Sequence, residues 1–95
     1  MNSAYTYILS CANGTYYTGS TKDIGRRFLQ HEAGEGANYT RKHLPVKLVY
    51  VEIHTRIDHA FYREQQIKNW SQKKKEALIQ GDLNQLKDFV KAKNQ

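Results

Sequence analysis

The stretch Tyr5–Ser20, YTYILSCANGTYYTGS, constrains this chain more than any other. Two runs rich in Tyr, Thr and Ile, Tyr5–Ser10 and Thr15–Ser20, flank Ala-Asn-Gly and predict a β-hairpin turning at Asn13-Gly14. Thr21 or Asp23 is placed to cap a helix running to about Glu32. Residues 33–45, AGEGANYTRKHLP, hold Gly34, Gly36 and Pro45 and read as a loop. Val46–Ile53 carries apolar residues on both alternating faces (Val46, Leu48, Tyr50; Val49, Val51, Ile53) and predicts a central strand covered on both sides by helices. Asp58 opens a helix to about Trp70, and Ser71 caps another that Gly81 ends. Asp82 caps a last one over about 83–93, with Leu83, Leu86, Phe89 and Val90 at helical spacing. The order is ββαβααα, an α+β chain with helices packed on one small sheet, expected as a single domain over residues 1–95.

With 95 residues the core is thin, so each buried polar group is costly. No apolar run is long enough to cross a bilayer and Met1–Leu9 has no signal-peptide pattern, so a cytoplasmic protein without membrane contact is expected. The single Cys11 forms no internal disulfide, and four scattered histidines without a Cys-x-x-Cys pair build no structural zinc site. Fifteen basic against nine acidic residues leave a net charge of +6, which favours phosphate-bearing partners.

Against that thin core, two helices place ionisable residues on the faces they should bury. On the first, the stripe from Ile24 is Ile24, Arg27, Phe28 and His31. On the next, Glu64 falls inside the arc set by Ala60, Phe61 and Ile67. Each has a bland explanation: Glu64 pairs with Lys68 at i, i+4, Arg27 reaches Asp23, and a lone histidine is satisfied locally. Together, three ionisable groups at the margin of one core need one another, a metal or a ligand. Phosphodiester chemistry asks for such a set: a cation facing the phosphoryl oxygens, a metal-binding carboxylate and a group that deprotonates water. The hairpin adds Tyr5, Tyr7, Tyr16 and Tyr17, among which composition does not choose.

The blocks YTYIL, YYTGSTKDIGRRFLQH and AFYREQQIKNW resemble, in order and approximate spacing, the GIY-YIG nuclease superfamily, in particular its small stand-alone bacterial members. The likeness runs from about Ala4 to Gly81. The two motif triplets stand as Tyr5-Thr6-Tyr7 and Tyr17-Thr18-Gly19, so the motif tyrosines Tyr7 and Tyr17 and Gly19 remain while the Gly and Ile of the name are absent. The family's arginine falls on Arg27, its frequent helix histidine on His31 and its metal-binding glutamate on Glu64. Ser20 stands where some relatives carry lysine. The resemblance implies three antiparallel strands flanked by helices and hydrolysis of DNA with one Mg²⁺ or Mn²⁺ on Glu64. It further implies that Arg27 stabilises the transition state and that Tyr7, Tyr17 or His31 orients or deprotonates the water. Gly19 would let backbone and substrate approach closely.

The hairpin loop then makes a geometric prediction. A two-residue Asn13-Gly14 loop puts Tyr7 and Tyr17 on opposite faces, whereas a three-residue loop of Ala12, Asn13 and Gly14 pairs Cys11 with Thr15 and puts them on one. If both serve one site, the loop is odd with Gly14 left-handed, or the strand is bulged. Arg41, Lys42, Lys47, Lys73 and Lys74 are the candidate holders of a nucleic-acid backbone. The expected activity is a structure-directed or weakly specific DNA endonuclease, with RNA left open, taking specificity from DNA shape or a partner protein. Repair, recombination and restriction are all compatible with it. The alternative is a non-cleaving nucleic-acid-binding module that keeps the nuclease fold.

Overall fold

A computed structural model describes residues 3–81. Strands β1 (Ala4–Ser10) and β2 (Tyr16–Thr21) are followed by helices α1 (Ile24–Glu32) and α2 (Asn38–Lys42), strand β3 (Lys47–His54), and helices α3 (Ile57–Lys68) and α4 (Gln72–Gln80). The strands form one antiparallel sheet in the order β2-β1-β3, with helices on both faces, an α+β fold. Local chemistry sets the helix ends. The Asp23 carboxylate accepts from the Arg26 N–H to start α1, Ser71 accepts from the Lys74 N–H to start α4, and left-handed Gly81 ends it. The anticipated helix over 83–93 lies outside the described residues.

The connection of Cys11 to Thr15 is the three-residue loop. The Cys11 N–H donates to the Thr15 carbonyl at 2.9 Å, the Gly14 N–H to the Cys11 carbonyl at 3.0 Å, and Gly14 has φ +84°. The register that follows sets Tyr7 opposite Gly19 and Leu9 opposite Tyr17. Residues directly opposite share a face, so Tyr7 and Tyr17 do too.

Two readings of the chain are corrected. The central strand is β1, not β3: Thr6, Tyr7, Ile8 and Leu9 are all buried, while Leu48, Val51 and Ile53 on β3 are exposed, Ile53 at 71%. β1 conceals its interior role because Thr6 is polar, yet its hydroxyl donates to the Ala60 carbonyl at 2.8 Å, and a satisfied hydroxyl buries at little cost. In β3, a register shift between the partners of Ile8 and Leu9 inserts Val49, so simple alternation fails there. Leu48, Val51 and Ile53 thereby share a face, and Tyr50, Glu52 and His54 take the other. The segment read as loop also contains the five-residue α2, with Thr40 buried.

The core has two halves. On one face of the sheet, Tyr7, Leu9, Cys11 and Val46 pack with Tyr17 and with Ile24 and Phe28 of α1. On the other face α3 crosses β1 and β2, burying Ala60, Glu64 and Ile67 at i, i+4 and i+7. The ionisable residues of α1 and α3 thus line two cores separated by one sheet, rather than the margin of one.

Candidate functional site

On the α1 face three rings form a triangle. Tyr7 and Tyr17 lie 6.5 Å apart between centroids, Tyr7 and His31 5.8 Å, and Tyr17 and His31 5.3 Å. His31 is 1% exposed and Tyr7 2%, so their polar atoms must be satisfied internally. The Tyr7 hydroxyl lies 2.9 Å from His31 Nε2, His31 Nδ1 lies 2.8 Å from Thr40 Oγ1, and the Thr40 hydroxyl donates to the Ala37 carbonyl at 3.0 Å. A carbonyl only accepts, so the direction of the whole chain is determined. Thr40 spends its proton on Ala37 and accepts from His31 Nδ1–H, which leaves Nε2 to accept from the Tyr7 hydroxyl.

The electrostatics agree with this neutral chain. Burial, and then the positive charge of Arg27, lower the proton affinity of His31. Burial raises Tyr7 well above an ordinary tyrosine, as do Tyr17 and Glu64, against the opposing pull of Arg27. Tyr7 therefore feels Tyr17, Arg27 and Glu64, three of the residues that the sequence singled out. Two glycines make room for the chain. A Cβ on Gly19 would collide with the Tyr7 hydroxyl, and one on Gly36 with His31 Nδ1.

Glu64 sits on the opposite face. It is 7% exposed, and Ser20, the residue after Gly19, donates its hydroxyl to Glu64 Oε1 at 2.6 Å. Oε2 accepts from Gln65 Nε2 at 3.1 Å and from Lys68 Nζ at 2.7 Å. Edge strand β2 thus carries both halves of the site, with Gly19 facing Tyr7 and Ser20 facing Glu64. Asp23 is engaged as the α1 cap, and among the described residues it forms no ion pair with Arg27.

Among the described residues no group of three His, Cys, Asp or Glu converges to hold a metal. Glu64 is the available carboxylate, and its donor set suits a hard cation of the Mg²⁺ kind, which keeps several waters and takes one or two carboxylates with substrate phosphate oxygens. Lys68, whose side chain is partly exposed, is the group such a cation would displace.

The five expected backbone contacts lie toward the hairpin end. Lys47 pairs with Ser10 at the end of β1, and the Gln72 amide, next to Lys73, donates to the Gly14 carbonyl at 3.3 Å. Arg41, Lys42 and Tyr39 share α2, and the Tyr39 hydroxyl accepts from Asn13 Nδ2 at 3.3 Å in the hairpin loop. Lys74 lies over the Trp70 ring, 4.2 Å from its centroid. Sequence reasoning missed Thr40 and Gly36, both inside the stretch read as loop, and treated Ser20 only as a missing lysine. Gly36 has no positive φ, and it is the contact a Cβ there would make with His31 that shows it serves space rather than a turn, which only the structure reveals.

The model of the GIY-YIG catalytic domain matches residues 3–77. The chain belongs to the GIY-YIG family. Among similar chains, a UPF0213 protein of Natronomonas pharaonis is 49% identical over 75 residues, covering 79% of this chain and 88% of that one. A UPF0213 protein of Staphylococcus saprophyticus is 44% identical, covering 83% and 96%. Two solution structures superpose on this GIY-YIG chain. A UPF0213 protein of Bacillus halodurans has TM-score 0.53 and 40% identity, covering 82% and 83%. A protein of E. faecalis has TM-score 0.58 and 32% identity, covering 85% and 86%. GIY-YIG domains are nuclease domains that generally use a divalent metal, so membership implies a nucleic-acid substrate. No helix among the described residues is long and apolar enough to cross a membrane.

Proposed function

We propose that this GIY-YIG chain is a metal-dependent endonuclease of the cytoplasm that hydrolyses phosphodiester bonds in DNA, structure-directed or weakly specific. The observation that carries the reading is the directed chain from Tyr7 through His31 to Thr40. A tyrosine that must stay neutral is a poor base alone, but one that donates to a neutral imidazole relays a proton. As water attacks phosphorus, its proton passes to the Tyr7 oxygen while the Tyr7 proton passes to His31 Nε2, leaving an imidazolium whose Nδ1–H stays bonded to Thr40. His31 therefore acts through Tyr7, which stands between it and the substrate. Tyr17 packs against both rings and orients them. Arg27 faces the charge that builds on the phosphoryl oxygens. A divalent ion, Mg²⁺ or Mn²⁺, held by Glu64 would supply Lewis acidity to the same oxygens. Ser20 holds the carboxylate in place.

The second reading, a nucleic-acid-binding module without turnover, draws on the ion pair that Lys68 makes with Glu64 where a metal would bind. One experiment separates the two. Labelled duplex, nicked, flap, branched and single-stranded DNAs are incubated with Mg²⁺, Mn²⁺ or chelator and the native protein, Glu64→Ala or Arg27→Ala. The nuclease requires metal-dependent cutting that both substitutions abolish. Binding by all three proteins without cutting on any substrate selects the module.

A further inference from the structure

The site described so far does not account for a run of cations beside it. Lys22, Arg26 and Arg27 line one cavity of about 250 Å³ together with Thr21, Asp23 and Gln30. Among the described residues none of these three cations takes part in an ion pair, and the one carboxylate present, that of Asp23, is engaged by the Arg26 N–H. Lys22 also lines a second, larger cavity of about 720 Å³, whose walls include Tyr5, Thr55 and Ile57. Arg56 and Asp58 border it too, but they neutralise each other through two hydrogen bonds of 3.0 and 2.9 Å. Lys22 borders both cavities, so they lie side by side and trace one path, a groove from Arg27 past Lys22 to the ring of Tyr5. Tyr5 stands two residues before Tyr7 on the same face of β1, about 7 Å along the strand.

We propose that this groove binds a single-stranded flank of the substrate beside the scissile bond, with Lys22 and Arg26 on successive backbone phosphates and Tyr5 stacked on an unpaired base. The inference rests on the nuclease reading for the position of the bond cut, but not for the binding. A basic channel leading to a half-buried aromatic is how proteins hold single strands, because a base offers its face only when unstacked from a duplex. The larger cavity lies within the volume range of pockets that enclose small ligands, room enough for one nucleobase between Tyr5 and Ile57. A blunt duplex has phosphates for Lys22 and Arg26 but no free base for Tyr5. The groove also leads away from Arg41, Lys42, Lys47 and Lys73, which cluster toward the hairpin end.

The test is fluorescence anisotropy in chelator, where no turnover occurs, with a labelled single strand, the blunt duplex of the same sequence and a duplex with one splayed arm. Tyr5→Leu is expected to weaken single-strand and splayed-arm binding by about 5- to 100-fold, Tyr5→Phe to restore it, and neither to change blunt-duplex binding. Lys22→Ala and Arg26→Ala, both at exposed positions that folding tolerates, should each lower the slope of log affinity against log salt by about 0.7 on single strands. Equal losses on single strand and blunt duplex, or an unchanged salt slope, overturn the proposal. If the native protein cuts nothing in Mg²⁺ or Mn²⁺ yet these binding differences appear, the nuclease reading fails and the groove stands. If it cuts but Tyr5→Leu and Lys22→Ala leave binding unchanged, the groove fails and the nuclease stands.

Discussion

Two regions of this molecule gather the same residue types and differ in what a proton can do there. At the candidate site, Tyr7, His31 and Arg27 lie on one face of the sheet. Beneath the other face, β3 and α3 bring together Tyr50, His54, Arg63 and Glu52. In the second cluster the carboxylate is the hub: the Tyr50 hydroxyl donates to Glu52 Oε2, and His54 Nε2 and Arg63 Nε both lie 2.8 Å from Oε1. Burial alone would raise Glu52, but the bond from Tyr50, the charge of Arg63 and the bonds from His54 and Arg63 hold it below its ordinary value. Tyr50, for its part, is pushed up to about 12 by burial and by Glu52. Tyr50 thus donates to a group with little appetite for its proton, whereas Tyr7 donates to a neutral imidazole that can accept one. The Glu52 cluster stores stability, and the Tyr7–His31 chain is open to proton transfer. Converging Tyr, His, Arg and Glu do not by themselves make a site.

The strongest way to break this comparison is to swap charge at the two glutamates. Glu64→Gln should lower kcat by about 10²–10³-fold, the scale of losing one electrostatic contact in the transition state, while Glu52→Gln leaves it within a few-fold. Equal losses would mean that the second cluster is catalytic. The tyrosines come next. Tyr7→Phe is expected to reduce kcat by about 10²-fold and to cost about 1–3 kcal/mol, because it leaves the buried His31 Nε2 without its donor. Tyr50→Phe should keep kcat and cost about 1–3 kcal/mol in urea unfolding, because its hydroxyl serves a charged acceptor.

A smaller effect should follow from crowding the proton chain. Gly19→Ala places a methyl against the end of a buried ring that has no free rotation, so about 1–3 kcal/mol of stability should be lost, with kcat falling as Tyr7 moves. Gly36→Ala should do the same through His31, and an unperturbed Tm for both would show that the rings give way freely.

The pH dependence sharpens the contrast further. His31 has a lowered proton affinity in the folded state, so its contribution to stability is whole above the unfolded value of about 6.5 and is lost as pH falls below it. Glu52 is also lowered, so its contribution is whole above about 4.3 and is lost only as pH falls through its still lower folded value. On acidification His31→Gln should therefore flatten the first stretch of the stability curve and Glu52→Gln the second. The acid limb of kcat/KM should follow His31 alone.

How much of this could be read beforehand depends on the range of each interaction. The cap at Ser71, the left-handed Gly81 and the buried positions of His31 and Glu64 all follow from residues within about four positions of one another, and the pattern shows them; the first cap was narrowed to Thr21 or Asp23, and the structure takes Asp23. The hairpin was legible up to one ambiguity, its loop length, which decides the face of Tyr17. The motif blocks located Tyr7, Arg27 and Glu64 but carried nothing about Thr40 or Gly36, whose roles exist only once α2 folds back onto α1.

The sequence by itself determined which segments become helix or strand, α2 excepted, which ionisable side chains face inward and which family the chain joins, because periodicity, capping and motif spacing are local. Only the tertiary structure decided that β1 lies at the centre, that Val49 breaks the alternation of β3 and that Glu64 and Tyr7 approach one edge strand from opposite faces. It alone also gave the proton chain its direction. Those outcomes rest on pairings between residues distant in the chain: Thr6 with Ala60, Ser20 with Glu64, Tyr7 with His31. A hydrogen bond between such residues leaves no periodic trace in either one's neighbours.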